Sequence, residues 1–126
     1  MVEILVVDDN LQLRDTLRKI LNKRPGFRVT GEAADGIAAS QLAQTLRPTV
    51  VLMDVGMARM DGVEATRRIR ALLPNTVVIG MSCHNSREVE VALRAVGANA
   101  FIPKELVPEQ IFDVISQQLP QDQTVQ

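Results

Sequence analysis

VVLMDVGMARMDG, from Val50 to Gly62, is the stretch on which the architecture turns. Val50, Val51, Leu52 and Met53 form an unbroken apolar run that stops at Asp54, and a Gly-containing loop closes on Asp61-Gly62 before a helical pattern begins. A short, continuous apolar run reads as a strand buried on both faces, as in a parallel sheet. Asp54 therefore falls at the carboxyl end of a strand. In open α/β sheets ligands bind at that edge, so a carboxylate there is a candidate for chemistry. The plainer role for Asp54 is to open a turn.

Working back toward the N-terminus, Pro48 ends a helix that Asp35 and Gly36 open, with Ala39, Leu42, Ala43 and Leu46 inward. Before it, Phe27–Ala33 (FRVTGEA) alternates as a strand, and its polar content suits a sheet edge. The first strand, Ile4–Val7, runs into Asp8-Asp9; Asn10 then caps a helix carrying Leu13, Leu17, Ile20 and Leu21 on one face, and Pro25-Gly26 stops it. Toward the C-terminus, the helix after Gly62 has Ala65, Ile69, Leu72 and Leu73 on one side and Arg67, Arg68 and Arg70 as a solvated face. Pro74-Asn75 breaks it. Thr76–Met81 (TVVIGM) is a fourth strand ending in Ser82. Ser86 caps a helix with Val89, Ala92, Leu93 and Val96 inward and Gly97 as its stop. Ala100–Ile102 is a fifth strand leading to Pro103-Lys104, and a last helix from near Pro108 buries Ile111, Phe112, Ile115 and Leu119. Residues 120–126 (PQDQTVQ) read as a tail or the start of a linker after one domain, 1–119. Five strands alternating with five helices predict an α/β doubly wound parallel sheet with helices on both faces.

Composition narrows the function. The chain of 126 residues has room for one domain with a real core. Three Phe with no Trp or Tyr leave no stacking platform for single-stranded nucleic acid, and a net charge of -1 argues against a nucleic-acid or anionic-membrane surface. One cysteine, Cys83, allows neither an intrachain disulfide nor a Cys-rich zinc site. No secretory signal or membrane-length apolar run is present in the sequence, so a soluble, cytoplasmic protein is expected.

The strand assignments place Asp8, Asp9, Asp54, Ser82 and Lys104 at one edge of the sheet. If the first and third strands are neighbours, three carboxylates converge there and repel one another unless a cation joins them. Oxygen ligands with room for water favour Mg²⁺ over a fully caged Ca²⁺. The plainer roles are helix capping for Asp8 and Asp9, a turn hydroxyl for Ser82 and a solvated surface charge for Lys104.

Asp8-Asp9, the segment Asp54–Gly62, Ser82 ending the fourth strand and Lys104 after the fifth resemble the receiver domain of two-component response regulators. GEAADG (Gly31–Gly36) and EATRRIRALLP (Glu64–Pro74) are most similar to receivers that precede LuxR-type helix-turn-helix domains. The resemblance implies a flavodoxin-like strand order 2-1-3-4-5. It implies that Asp54 accepts a phosphoryl group from a phosphohistidine on a sensor histidine kinase or phosphotransfer domain. Asp9 would bind Mg²⁺ directly and Asp8 mostly through water, with Asp54 and the Gly56 carbonyl completing the set. Lys104 would pair with a phosphoryl oxygen, Ser82 would donate to another, and Phe101 would fill the space that Ser82 vacates, making Ser82 and Phe101 a switch. On this reading the chain is a signalling domain and no enzyme beyond its own phosphorylation and dephosphorylation. A homodimer is compatible with it, and DNA enters only through a further output domain. Phosphoryl transfer chiefly asks for position and positive charge, which a cation, a lysine and a hydroxyl supply.

The sequence departs from the family pattern at three places, one of them Ser82 where threonine is commoner, a change that keeps the hydroxyl. Ala58 stands where the family usually has Pro, and Glu105 rather than Pro follows Lys104, with Pro103 preceding it. Cys83 and His84 read as plain loop residues; Gly56 and His84 also flank the line of water attack that the resemblance implies, where they would set the lifetime of the phosphoryl group. Two other classes compete: a phosphorylation-independent interaction module on the same fold, and a Mg²⁺-dependent phosphatase, which would need a second acid absent from the third strand.

Overall fold

The computed structural model describes residues 1–56, 62–82 and 87–120. The expectations for Ala58, Asp61, Cys83, His84, Ser86 and residues 121–126 lie outside the described residues.

The strands are β1 (Val2–Val7), β2 (Phe27–Ala33), β3 (Val50–Asp54), β4 (Val77–Ser82) and β5 (Ala100–Pro103). They alternate with helices α1 (Leu11–Lys23), α2 (Gly36–Leu46), α3 (Gly62–Leu72), α4 (Arg87–Ala95) and α5 (Val107–Gln118). The sheet is parallel in the order β2-β1-β3-β4-β5, as expected. Every residue of β3 and β4 is buried, which is why their sequences show no polar alternation. Alternate residues feed two cores instead. Ile4, Val6, Leu52, Ile79 and Ile102 pack with Leu17 and Leu21 of α1 and Ile111 and Ile115 of α5. Leu5, Val7, Val51, Met53 and Val78 pack on the other face with Ala39 and Ala43 of α2 and Ala65 and Ile69 of α3. Removing a fully buried Leu or Met from either core costs about 2–5 kcal/mol.

Local chemistry sets the element ends. Asn10 Oδ1 accepts the Leu13 N–H at 3.1 Å and is the α1 N-cap, so Asn10→Ala is expected to lower stability by about 1 kcal/mol in a denaturant melt. Asp35 caps α2 in the same way at 2.8 Å from the Ala38 nitrogen. Gly97 ends the turn after α4 with φ of 108°, which a side chain rarely adopts.

β2 is an edge strand, and its pairing with β1 shifts between Ile4 and Leu5, so that Val29 and Gly31 oppose consecutive residues and Thr30 is extra.

Two surface expectations change. Leu72 is 53% exposed because the buried stripe of α3 is Gly62, Ala65, Thr66, Ile69, with Leu73 just beyond, and Leu72 lies roughly 80° from its centre. Arg70 is half-buried and is no part of a solvated face. Its Nη1 donates to the carbonyls of Pro74 at 2.7 Å and Thr76 at 2.6 Å, tying the end of α3 to the start of β4. Arg67 and Arg68 are exposed as expected, and both engage Glu64, whose carboxyl they hold down to about 2. On α4 only Leu93 is buried, while Val89 and Ala92, and Val96 just past its end, are half-buried where the sequence pattern expects them inward.

Candidate functional site

β1 and β3 are neighbours, and their carboxyl ends bring Asp8, Asp9 and Asp54 together. Each offers a carboxylate oxygen, and these oxygens all lie within 4.8 Å of one another. Asp8 is fully buried and Asp54 is 3% exposed, whereas Asp9 is exposed, so the cluster opens to solvent on one side.

Each buried carboxylate is held by its surroundings. Asp8 Oδ1 accepts the Asn10 N–H at 2.8 Å, and Asp8 Oδ2 lies 2.7 Å from Lys104 Nζ, an ion pair by distance. Asp54 Oδ1 accepts the Gly56 N–H at 3.0 Å, and Asp54 Oδ2 lies 3.3 Å from Lys104 Nζ. A 3-10 turn over Lys104–Leu106 follows β5 directly, and Lys104 at its start reaches both carboxylates with Glu105 in place of the family's Pro. Helix capping is left to Asn10, so the plainer role for Asp8 and Asp9 does not describe the site.

Electrostatics follow from this packing. Burial pushes the Asp54 carboxyl above the ordinary aspartate value; the Gly56 N–H opposes that shift, the Asp8 charge adds to it, and Lys104 opposes it. Burial works against the Lys104 ammonium, yet its contacts with Asp8 and Asp54 together hold its pKa above the ordinary lysine value. Three carboxylates against one lysine leave an excess of negative charge, and all-oxygen donors of this kind suit a hard divalent cation.

The other expected residues sit nearby in graded order. Gly56 is exposed beside Asp54, and Ser82 is buried at the end of β4, the strand next to β3. Phe101 is not at the cluster. It is half-buried on β5 opposite Gly80, where a Cβ on Gly80 would stand 3.4 Å from the Phe101 ring and would collide with Leu93 Cδ1. The missing side chain at Gly80 is what lets Leu93 of α4 lie on the sheet beside Phe101.

One structural requirement at the site leaves little trace in the sequence. Gly62 opens α3 against the end of β3, and a Cβ there would collide with the Asp54 carbonyl oxygen and stand 2.8 Å from Val55 Cα. Backbone cannot yield as a side chain does. Gly62→Ala is expected to lose about 1–3 kcal/mol by overpacking and to displace Asp54, seen as shifted Asp54 and Val55 amide resonances. The signal in the sequence is the Asp61-Gly62 pair, which reads equally well as an ordinary turn.

Comparison with known proteins agrees with this geometry. The response regulator receiver domain model matches residues 4–116. A protein-glutamate methylesterase/protein-glutamine glutaminase of Myxococcus xanthus is 43% identical over 121 residues, covering 94% of this chain and 34% of that protein. The chain thus spans about a third of that relative's length. Among solved structures, the response regulator domain of Thermotoga maritima CheB superposes with a TM-score of 0.87 at 28% identity, covering 100% of this chain and 98% of that one. A LuxR-family two-component response regulator from Aurantimonas has the same TM-score and identity, with 93% of this chain and 84% of that chain covered. With the 2-1-3-4-5 sheet, the grouped acids at its carboxyl edge and a family match over nearly the whole chain, the protein belongs to the response regulator receiver domain family, as a phosphoacceptor signalling domain.

Proposed function

We propose that Asp54 is the phosphoacceptor and that Asp8, Asp9 and Asp54, with the Gly56 carbonyl, hold Mg²⁺. The observation that carries this reading is the buried Asp54 carboxylate, 3.3 Å from Lys104 Nζ on one side and grouped with two further carboxylates on the other. A carboxylate oxygen of Asp54 attacks phosphorus, a P–O bond forms, and the bond from phosphorus to the donor's imidazole nitrogen breaks. No general base is needed, because the attacking group is already ionised. Lys104 and the Ser82 hydroxyl meet the phosphoryl oxygens, and their charge and hydrogen bonds stabilise the transferring group. Mg²⁺ held by these carboxylates would supply further positive charge to the transferring group.

The acyl phosphate adds negative charge at the end of β3 and draws Ser82 toward it. Phe101 and Leu93 over Gly80 are the side chains placed to answer that shift, one strand away and on α4. Ser82 and Phe101 therefore form the switch, and the surface it alters is what a partner reads.

The donor is a sensor histidine kinase or phosphotransfer domain, and the domain spans 1–119, followed by a tail or linker from 120. Relatives of both methylesterase and LuxR kinds make an output domain beyond the receiver part of this proposal, with DNA contacted only through it and with dimerisation left to that context. Among the described residues no helix is long and apolar enough to cross a membrane, in keeping with a cytoplasmic setting.

Incubation with acetyl phosphate and Mg²⁺ tests the reading. The intact chain is expected to gain the mass of one phosphoryl group. No gain would favour the phosphorylation-independent interaction module, and rapid release of inorganic phosphate with no retained label would favour a phosphatase.

A further inference from the structure

Arg14 lies on α1, outside the set of site residues, yet its side chain is only 14% exposed. Its Nη1 donates to the main-chain carbonyl of Asp8 at 2.7 Å, and its Nε lies 3.1 Å from Glu32 Oε1 on β2. Glu32 Oε2 lies 3.3 Å from Arg18 Nε, one turn further along α1, so the carboxylate is held between two guanidinium groups. The Asp8 N–H in turn donates to the carbonyl of Ala33, the residue after Glu32, at 3.0 Å. Both main-chain polar groups of Asp8 are thereby fixed. The peptide joining Asp8 to Asp9 is planar, so fixing the Asp8 carbonyl also sets the direction in which the Asp9 Cα leaves. Asp9 is the exposed acid of the cluster, and its aim toward the other two carboxylates follows from where that peptide delivers it.

We infer that Arg14 is a positioning residue for the cation site: held by Glu32, its guanidinium fixes the Asp8-Asp9 peptide and so aims the Asp9 carboxylate at the metal. This rests on the proposed Mg²⁺ site. The fork of the guanidinium matters, because one nitrogen meets Glu32 while another meets the carbonyl, a division a lysine ammonium on a flexible stem does not reproduce. Charge alone predicts the opposite sign of effect. A guanidinium on the main chain of an acidic residue repels a second cation, so deleting it would tighten Mg²⁺ binding if Coulomb forces were its whole role.

The test is Mg²⁺ titration of the metal-free protein, followed by the amide resonances of Asp9 and Gly56, in wild type, Arg14→Gln, Arg14→Lys, Glu32→Gln and the Arg14→Gln/Glu32→Gln double variant. Arg14→Gln is expected to weaken Mg²⁺ affinity about 10-fold, as loss of an outer contact typically does, and Arg14→Lys several-fold although the charge is kept. Glu32→Gln weakens it too, and the double variant binds no more weakly than Arg14→Gln alone, since both changes act through one contact. Unchanged or tighter binding in Arg14→Gln, or losses that multiply in the double variant, would overturn the inference. Should Arg14→Gln fail to fold, Arg14→Lys decides in its place, with weakened affinity supporting the inference and unchanged affinity overturning it. A wild-type protein that binds no Mg²⁺ overturns the proposed function itself, a result distinct from wild type and variants binding equally.

Discussion

Asp54→Asn is expected to take up no phosphoryl group from acetyl phosphate, a loss of at least about 100-fold in label, while gaining stability at neutral pH in metal-free buffer. The amide keeps the shape of the side chain and still accepts the Gly56 N–H through its oxygen, but it is no nucleophile. The stability gain follows from linkage. Burial, with the Asp8 charge added, raises the Asp54 pKa above its unfolded value of 3.8 despite Gly56 and Lys104. An acid whose folded pKa is raised destabilises the fold when ionised. That penalty is full above the folded pKa, shrinks as the pH falls through it, and is gone below 3.8. Denaturant melts of both proteins across this range should therefore converge on acidification, the variant leading at neutral pH. Wild-type labelling should also fall in acid, because a protonated Asp54 does not attack.

Lys104→Ala should be the most damaging change to the site in stability, and it slows the chemistry without abolishing it. It strips the cation from Asp8, whose side chain is fully buried, and from Asp54, whose side chain is 5% exposed. Breaking a buried ion pair by removing one partner costs roughly 3–5 kcal/mol, and access of water to Lys104 places this case near the lower end. Lys104 has a raised folded pKa, so its stabilisation is complete below 10.5 and lost as the pH climbs through the folded value. The gap between wild type and Lys104→Ala in melts should accordingly narrow only in strongly alkaline buffer. Labelling should drop about 10²–10³-fold, the usual loss when one group that stabilises developing charge is removed. Mass spectrometry of timed reactions measures that drop.

The parallel sheet is readable because β3 and β4 are buried from end to end and their sequences say so without interruption. The acids at the sheet edge are readable for a related reason: a carboxylate directly after such a run has only the carboxyl end to occupy. Interactions that depend on where a long side chain folds are not. Arg70 reads as one more solvated arginine on α3, yet it turns back to two carbonyls that belong to no periodic pattern. Arg14 and Glu32 are 18 positions apart and meet only because β2 lies beside β1. Leu72 departs in the other direction, since the end of a helix presents one apolar residue more than the sheet can cover. The extra residue Thr30 leaves no mark, because a bulge in an edge strand changes pairing without changing composition.

Phosphorylation of Asp54 at a cation-dependent site is tested most directly by locating the label. Wild-type protein treated with acetyl phosphate, then digested at once and sequenced by tandem mass spectrometry, should carry a single phosphoryl group on Asp54 when Mg²⁺ is present and none when it is chelated. Label on any other residue, or equal label on Asp54 without a divalent cation, would contradict this mechanism.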